Sequence, residues 1–192
     1  MKQDSSRKIK VGVVPMGDVP VMAPKVIAAH VYAYFDLQAD VLASRPVLRH
    51  TFDSGRMQYD AGQILTKLEK EIFKGYQKII GVINGDLFVP VFSYVLGEAR
   101  QGGRCALVSL FRLSENLARG PGEPSQFLER CAKVALHELG HLFDLTHCSD
   151  PLCLMHISGD ARELDQRRLN LCRYCKLFLE QGLSRDSGRG KK

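Results

Sequence analysis

Three histidines and a glutamate stand close together near the C-terminal third of this chain: His137-Glu138-Leu139-Gly140-His141, then His147 six residues on. In an α-helix consecutive residues turn by about 100°, so side chains four apart lie about 40° from one another and one turn up. His137 and His141 can therefore offer two imidazole nitrogens to one ion. On a continuous helix His147 would be carried about 15 Å along the axis. The chain must stop and fold back for a third nitrogen to join. Three nitrogen ligands leave the fourth position of tetrahedral zinc open to water. Glu138, beside His137, is the carboxylate that can take a proton from that water as it attacks a carbonyl and return it to a leaving amine. The chemistry these residue types support is zinc-dependent hydrolysis of a peptide bond.

A second constellation follows at once. Cys148 and Cys153 enclose four residues, and Cys172 and Cys175 form CxxC. Two pairs separated by one loop match a structural zinc site, because four thiolates fill the metal and leave no place for water. Four free thiols or a redox pair form the competing reading. Cys148 directly follows His147, so holding the cysteine would fix where the histidine points. Asp144 stands three residues after His141, where a helix that stops needs a residue tolerant of left-handed backbone. It reads as the helix end, with a supporting hydrogen bond to a ligand imidazole as the alternative. Met155 lies two residues past Cys153. Cys105 and Cys131 read as core residues.

These groups must be positioned by regular elements. Residues 9–15, 40–43, 78–83, 91–96 and 106–110 read as strands; 22–35, 60–73, 125–143 and 163–179 read as helices. Asp60 can cap the second helix, and Asn84-Gly85-Asp86 is a turn signal. A Gly/Pro loop spans 118–124, and 144–159 looks irregular. Alternating strands and helices point to an α/β sheet layered with helices. The expected organisation is a disordered segment 1–8, one domain over 9–183 with an upper part 9–143 and a lower part 144–183, and a disordered basic tail 184–192.

At 192 residues, 45% hydrophobic and 25% charged, the chain can bury a core of its own. No apolar run reaches the roughly 20 residues of a membrane span, and no signal peptide is evident, so the expectation is a cytoplasmic protein with reduced cysteines and no membrane partner. Net charge is +6, and from His156 to Lys192 nine Lys/Arg oppose five Asp/Glu, an excess of four. Nucleic acid is not an expected partner, since basic charge comes without an aromatic-basic signature. A monomer is expected.

HExxH, a third histidine six residues on, an adjoining cysteine, CxxxxC-x-M and a distant CxxC together resemble the archaemetzincins, a branch of the metzincin metallopeptidases. Arg56-Met57-Gln58-Tyr59, residues 86–90 and residues 96–99 resemble other segments of that family, so the likeness spans most of the chain. It implies a metzincin-like twisted mixed sheet with packed helices and a small C-terminal zinc-stabilised subdomain. By the same resemblance His137, His141 and His147 are ligands of the catalytic zinc and Glu138 is the general base. Met155 is the Met-turn residue, and Cys148, Cys153, Cys172 and Cys175 bind a second Zn2+. Residues 91–96 resemble the edge strand along which a peptide substrate lies. Asp144 departs from the family pattern, which has glycine there, and Ile157 replaces the tyrosine that some metzincins place two residues after the methionine. The alternative function is a catalytically impaired zinc-binding interaction module.

Overall fold

A computed structural model describes residues 9–115 and 123–189. In chain order its elements are β1 (Lys10–Met16), α1 (Met22–Phe35), β2 (Gln38–Val41), β3 (Phe52–Asp53), β4 (Gln58–Asp60), α2 (Ala61–Lys70), β5 (Lys78–Ile83), β6 (Leu87–Phe88), β7 (Gly97–Ala99), β8 (Cys105–Ser109), α3 (Glu123–Leu142), α4 (Ala161–Asp165) and α5 (Arg173–Arg189). β1, β5 and β8 are almost wholly apolar and buried, which suits the centre of a parallel sheet covered on both faces. The main sheet runs β2-β1-β5-β8-β7; the first four strands are parallel, and β7 is antiparallel at the edge.

Side-chain alternation divides the core into two layers. Val11, Val13, Ile80, Val82, Ala106 and Val108 face α1 and α3. Val14, Ile79, Ile83, Cys105 and Leu107 face Ile64, Leu65 and Leu68 of α2. A small second sheet, β3-β4-β6, flanks this frame. Arg130 of α3 is 1% exposed and donates to both carboxylate oxygens of Asp165, at 2.8 and 2.6 Å, tying α4 to the long helix. Among the described residues no helix is long and apolar enough to cross a membrane.

The sheet layered with helices is the architecture the sequence pattern implied, its mixed strand directions are those the resemblance implied, and α1 and β5 fall on their expected bounds. Asp60 caps α2, its side chain accepting from the Gln63 N–H, although the helix ends at Lys70 rather than 73. Residues 91–96 are not a strand. They form an irregular loop, and the sheet edge is β7, at Gly97–Ala99. A local apolar run was read as a strand there, but the Phe92 and Ser93 carbonyls are taken by the Arg56 and Gln58 side chains, and Val95 makes an isolated bridge to Leu87 rather than a ladder. The single helix expected over 163–179 is two, α4 and α5, and Cys172 sits just outside α5. α5 continues through Arg189, past position 184 where an unstructured tail was expected. The expected segment 1–8 and most of the Gly/Pro loop at 118–124 lie outside the described residues.

Candidate metal and catalytic centre

α3 carries His137, Glu138 and His141, and its end determines whether His147 can join them. The helix stops in a double hydrogen-bonded turn: Leu145 N donates to Gly140 O (3.1 Å) and Asp144 N to His141 O (3.1 Å). This closure requires a left-handed residue, and Asp144 takes it at φ 67°. Asp144 is thus the helix terminator. Its carboxylate faces Arg185 of α5 at 3.6 Å. The carbonyls left over by the helix are also used. Gly102 N donates to His141 O (2.8 Å) and Lys78 Nζ to Leu142 O (2.8 Å). Lys78 is 4% exposed, lies 4.9 Å from the Phe143 ring centroid and pairs with Asp186, so a cation sits at the negative end of the helix.

Beyond that turn the three imidazoles converge. Ring centroids are 4.8 Å apart for His137 and His141, 5.3 Å for His137 and His147, and 4.9 Å for His141 and His147. One ligand nitrogen from each lies within 4.8 Å of the others. His137 Nδ1 donates to Leu154 O (2.8 Å) and His141 Nδ1 to Leu145 O (2.7 Å). A carbonyl can only accept, so each Nδ1 carries the proton and each Nε2 keeps its lone pair. Those Nε2 atoms face one another at 3.1 Å. Two lone pairs at that distance repel unless a cation lies between them, and tetrahedral zinc at about 2.0–2.1 Å from each nitrogen needs about this spacing. Burial, reinforced by neighbouring His141, lowers the His137 pKa to about 3; burial lowers His141 and His147 as well. All three are neutral donors at pH 7, the form a metal requires.

Glu138 shares a cleft of ≈ 360 Å³ with the three histidines. Its walls include Tyr94 and Leu96 from the 91–96 loop, Gly97 and Glu98 of β7, Val134 of α3 and Leu164 of α4. Burial, with Glu98 as a secondary cause, raises the Glu138 pKa well above the ordinary carboxylate value. The carboxyl presses on Gly97, where an added Cβ would lie 2.7 Å from Oε1. Glu98 lines the cleft, and burial raises its pKa too. Met155 is fully buried under α3, and a Cβ at Gly140 would lie 2.6 Å from its Sδ. A glycine inside a helix is a sequence signal of such close approach.

The sulfurs of Cys148, Cys153, Cys172 and Cys175 also lie within 4.8 Å of one another. Cys148 and Cys172 sulfurs are 3.8 Å apart, and the Cys172 N–H points at Cys153 Sγ at 3.3 Å. Burial and the nearby Cys153 push the Cys175 thiol up. For Cys172 burial works in the same direction, but the backbone N–H of Cys175 and neighbouring groups outweigh it and lower the pKa. Four converging sulfurs with no oxygen donor suit zinc. Cys148 is strapped at both backbone groups: its N–H donates to Met155 O (2.9 Å), and its carbonyl accepts from His156 Nδ1 (2.8 Å). His156 therefore supports the loop. The resemblance put Phe92 and Tyr94 on an edge strand beside the substrate; they do line the cleft, but from an irregular loop, and Gly97 of β7 lines it with them.

The family model described as Peptidase family M54 matches residues 33–181. An archaemetzincin of Pyrococcus furiosus is 33% identical over 93% of this chain and 96% of its own length. One from Natronomonas pharaonis is 32% identical over 86% and 96%. The crystal structure of an archaemetzincin from Methanopyrus kandleri superposes with a TM-score of 0.83 at 31% identity, covering 95% of this chain and 99% of that one. A zinc-dependent peptidase from Methanocorpusculum labreanum gives 0.77 at 27% identity, over 88% and 99%.

Proposed function

Because this chain belongs to peptidase family M54, the archaemetzincins, and is a zinc metallopeptidase, we propose that it hydrolyses peptides in the cleft between α3 and β7, with Glu138 moving the proton. His137, His141 and His147 are the ligands of the catalytic zinc in this reading, and the four cysteines hold a second, structural one. The observation that carries it is the convergence of three neutral imidazoles in the cleft that Glu138 lines. Zinc bound by the histidines supplies a Lewis acid and acidifies water toward a pKa of about 7.

The chain's own residues do the rest. Glu138 accepts the proton of the attacking water on a carboxylate oxygen and gives it to the amide nitrogen as the C–N bond breaks. Burial raises its pKa above the ordinary carboxylate value, which makes it a readier acceptor of the water proton. Leu154 O and Leu145 O hold the His137 and His141 rings in one tautomer. Among the described residues β7 pairs on one edge with β8 and has no strand on the other, an edge that can pair with an extended peptide by backbone hydrogen bonds. Asp144 in the left-handed conformation supports an intact site over the impaired module, because the turn that returns His147 closes without glycine.

Glu138→Ala tests the reading on a panel of quenched peptides. Activity is expected to fall by about 10²–10⁴-fold with histidine-bound zinc retained by metal analysis. Undiminished hydrolysis would remove Glu138 from the mechanism.

A further inference from the structure

The loop at 89–95 is held by more than a connection needs. Gln58 is 6% exposed; its Nε2 donates to Asp86 Oδ2 (2.8 Å) and to Ser93 O (2.9 Å). Arg56 donates to the carbonyls of Phe92 and Ser93, both at 3.2 Å, and its guanidinium lies 4.4 Å from the Phe88 ring centroid. Asp86 accepts two bonds from Arg112, at 2.8 and 2.7 Å, and that guanidinium lies 3.7 Å from the Tyr94 ring centroid. Such a network orders its surroundings only when each member is satisfied. Here it fixes a loop whose tip presents Val91, 85% exposed, and Phe92, 57% exposed. Met57, next to Arg56, is 69% exposed and held at φ 55°, a conformation that non-glycine residues adopt rarely.

Phe92 and Tyr94 also line the cleft that holds Glu138 and the three histidines, so the apolar tip continues the substrate surface outward. The carbonyls of Phe92 and Ser93 are already taken by Arg56 and Gln58, so at those residues the loop offers side chains to a ligand. Two apolar side chains fall far short of the roughly 800 Å² per partner of a stable protein interface. They match the scale of a single side chain of a bound peptide. We propose that Val91 and Phe92 form an outer subsite that selects extended peptides carrying an apolar side chain beyond the residues flanking the scissile bond. This rests on the peptidase reading above.

The test uses the zinc-loaded full chain and paired quenched peptides with one common core. Each pair carries Leu or Gln three residues from the scissile bond, on the amino side in one pair and the carboxyl side in the other. The wild type is expected to favour Leu in one pair about tenfold in kcat/KM, mainly through KM, as burial of one aliphatic side chain provides. Phe92→Ser brings that ratio close to one. A ratio of one for both wild-type pairs, or an undiminished ratio in Phe92→Ser, overturns the proposal. Binding of the same peptides to Glu138→Ala, read by fluorescence anisotropy, separates the two claims. If the wild type cleaves no peptide, the peptidase reading fails, while the Leu/Gln binding ratio still decides the subsite.

Discussion

The three-histidine and four-cysteine clusters meet at consecutive residues, His147 and Cys148, yet they differ in what surrounds them. The histidines supply three donors, open into a cleft, and have a buried carboxylate beside them whose pKa is pushed up. The cysteines supply four donors, and none of them lines that cleft. Donor count and access therefore separate a site with room for water and substrate from one that only ties the chain together. The comparison also shows a division of labour. Cys148 is anchored through Met155 O and His156, and Met155 packs beneath Gly140, in the turn between His137 and His141. The cysteine cluster and the methionine thus hold the lower side of the α3 turn that carries His137 and His141.

Breaking the cysteine side should have the largest effect. With a second zinc held by the cysteines as proposed above, Cys175→Ser is expected to lose that ion and several kcal/mol of stability, and to weaken metal binding at the histidines by about 10–100-fold. Metal stoichiometry and chelator competition measure both; unaltered affinity at the histidines would show that the two sites are independent. Gly140→Ala probes the packing between them. Its Cβ meets Met155 Sδ at 2.6 Å, so a cost of about 1–3 kcal/mol in thermal unfolding is expected, and no loss would mean the thioether swings away freely.

Acid should distinguish the sites next. The folded-state pKa of His137 is depressed to about 3 from 6.5, so between those values the unfolded chain binds more protons. Stability of the metal-free protein is then fully present above about pH 6.5 and falls as pH drops through that window, by up to about 1.4 kcal/mol per pH unit. Urea midpoints at pH 7 and 5 measure this, and His137→Gln should flatten the slope. The smallest effect is expected for Asp144→Gly. Relief of left-handed strain stabilises by up to about 1 kcal/mol, with catalytic metal affinity unchanged; a marked loss of affinity would mean that the Asp144 carboxylate itself holds the turn.

Much of this was legible along the chain. The HExxH spacing, the third histidine and the two cysteine pairs carry their geometry locally, because a helix repeat and a tetrahedral ion both impose fixed spacing. The buried strands announced themselves by near-continuous apolar runs, and α1 by its helical period. Asp86 was not legible. Asn84-Gly85-Asp86 reads as a turn, yet Asp86 is the buried partner of Arg112 and Gln58, residues 26 and 28 positions away. Nor was Lys78, which begins a strand but ends by capping a helix 64 residues further on.

Sequence alone determined which atoms could bind metal and that the chain had to turn back after His141, since those facts follow from residue type and helical repeat. Only the tertiary structure decided that β7 rather than 91–96 forms the sheet edge, that Glu98 lines the cleft and that Leu145 and Leu154 carbonyls set the histidine tautomers. Each of these depends on which distant backbone groups are left to pair, and that is settled only once the layers have packed.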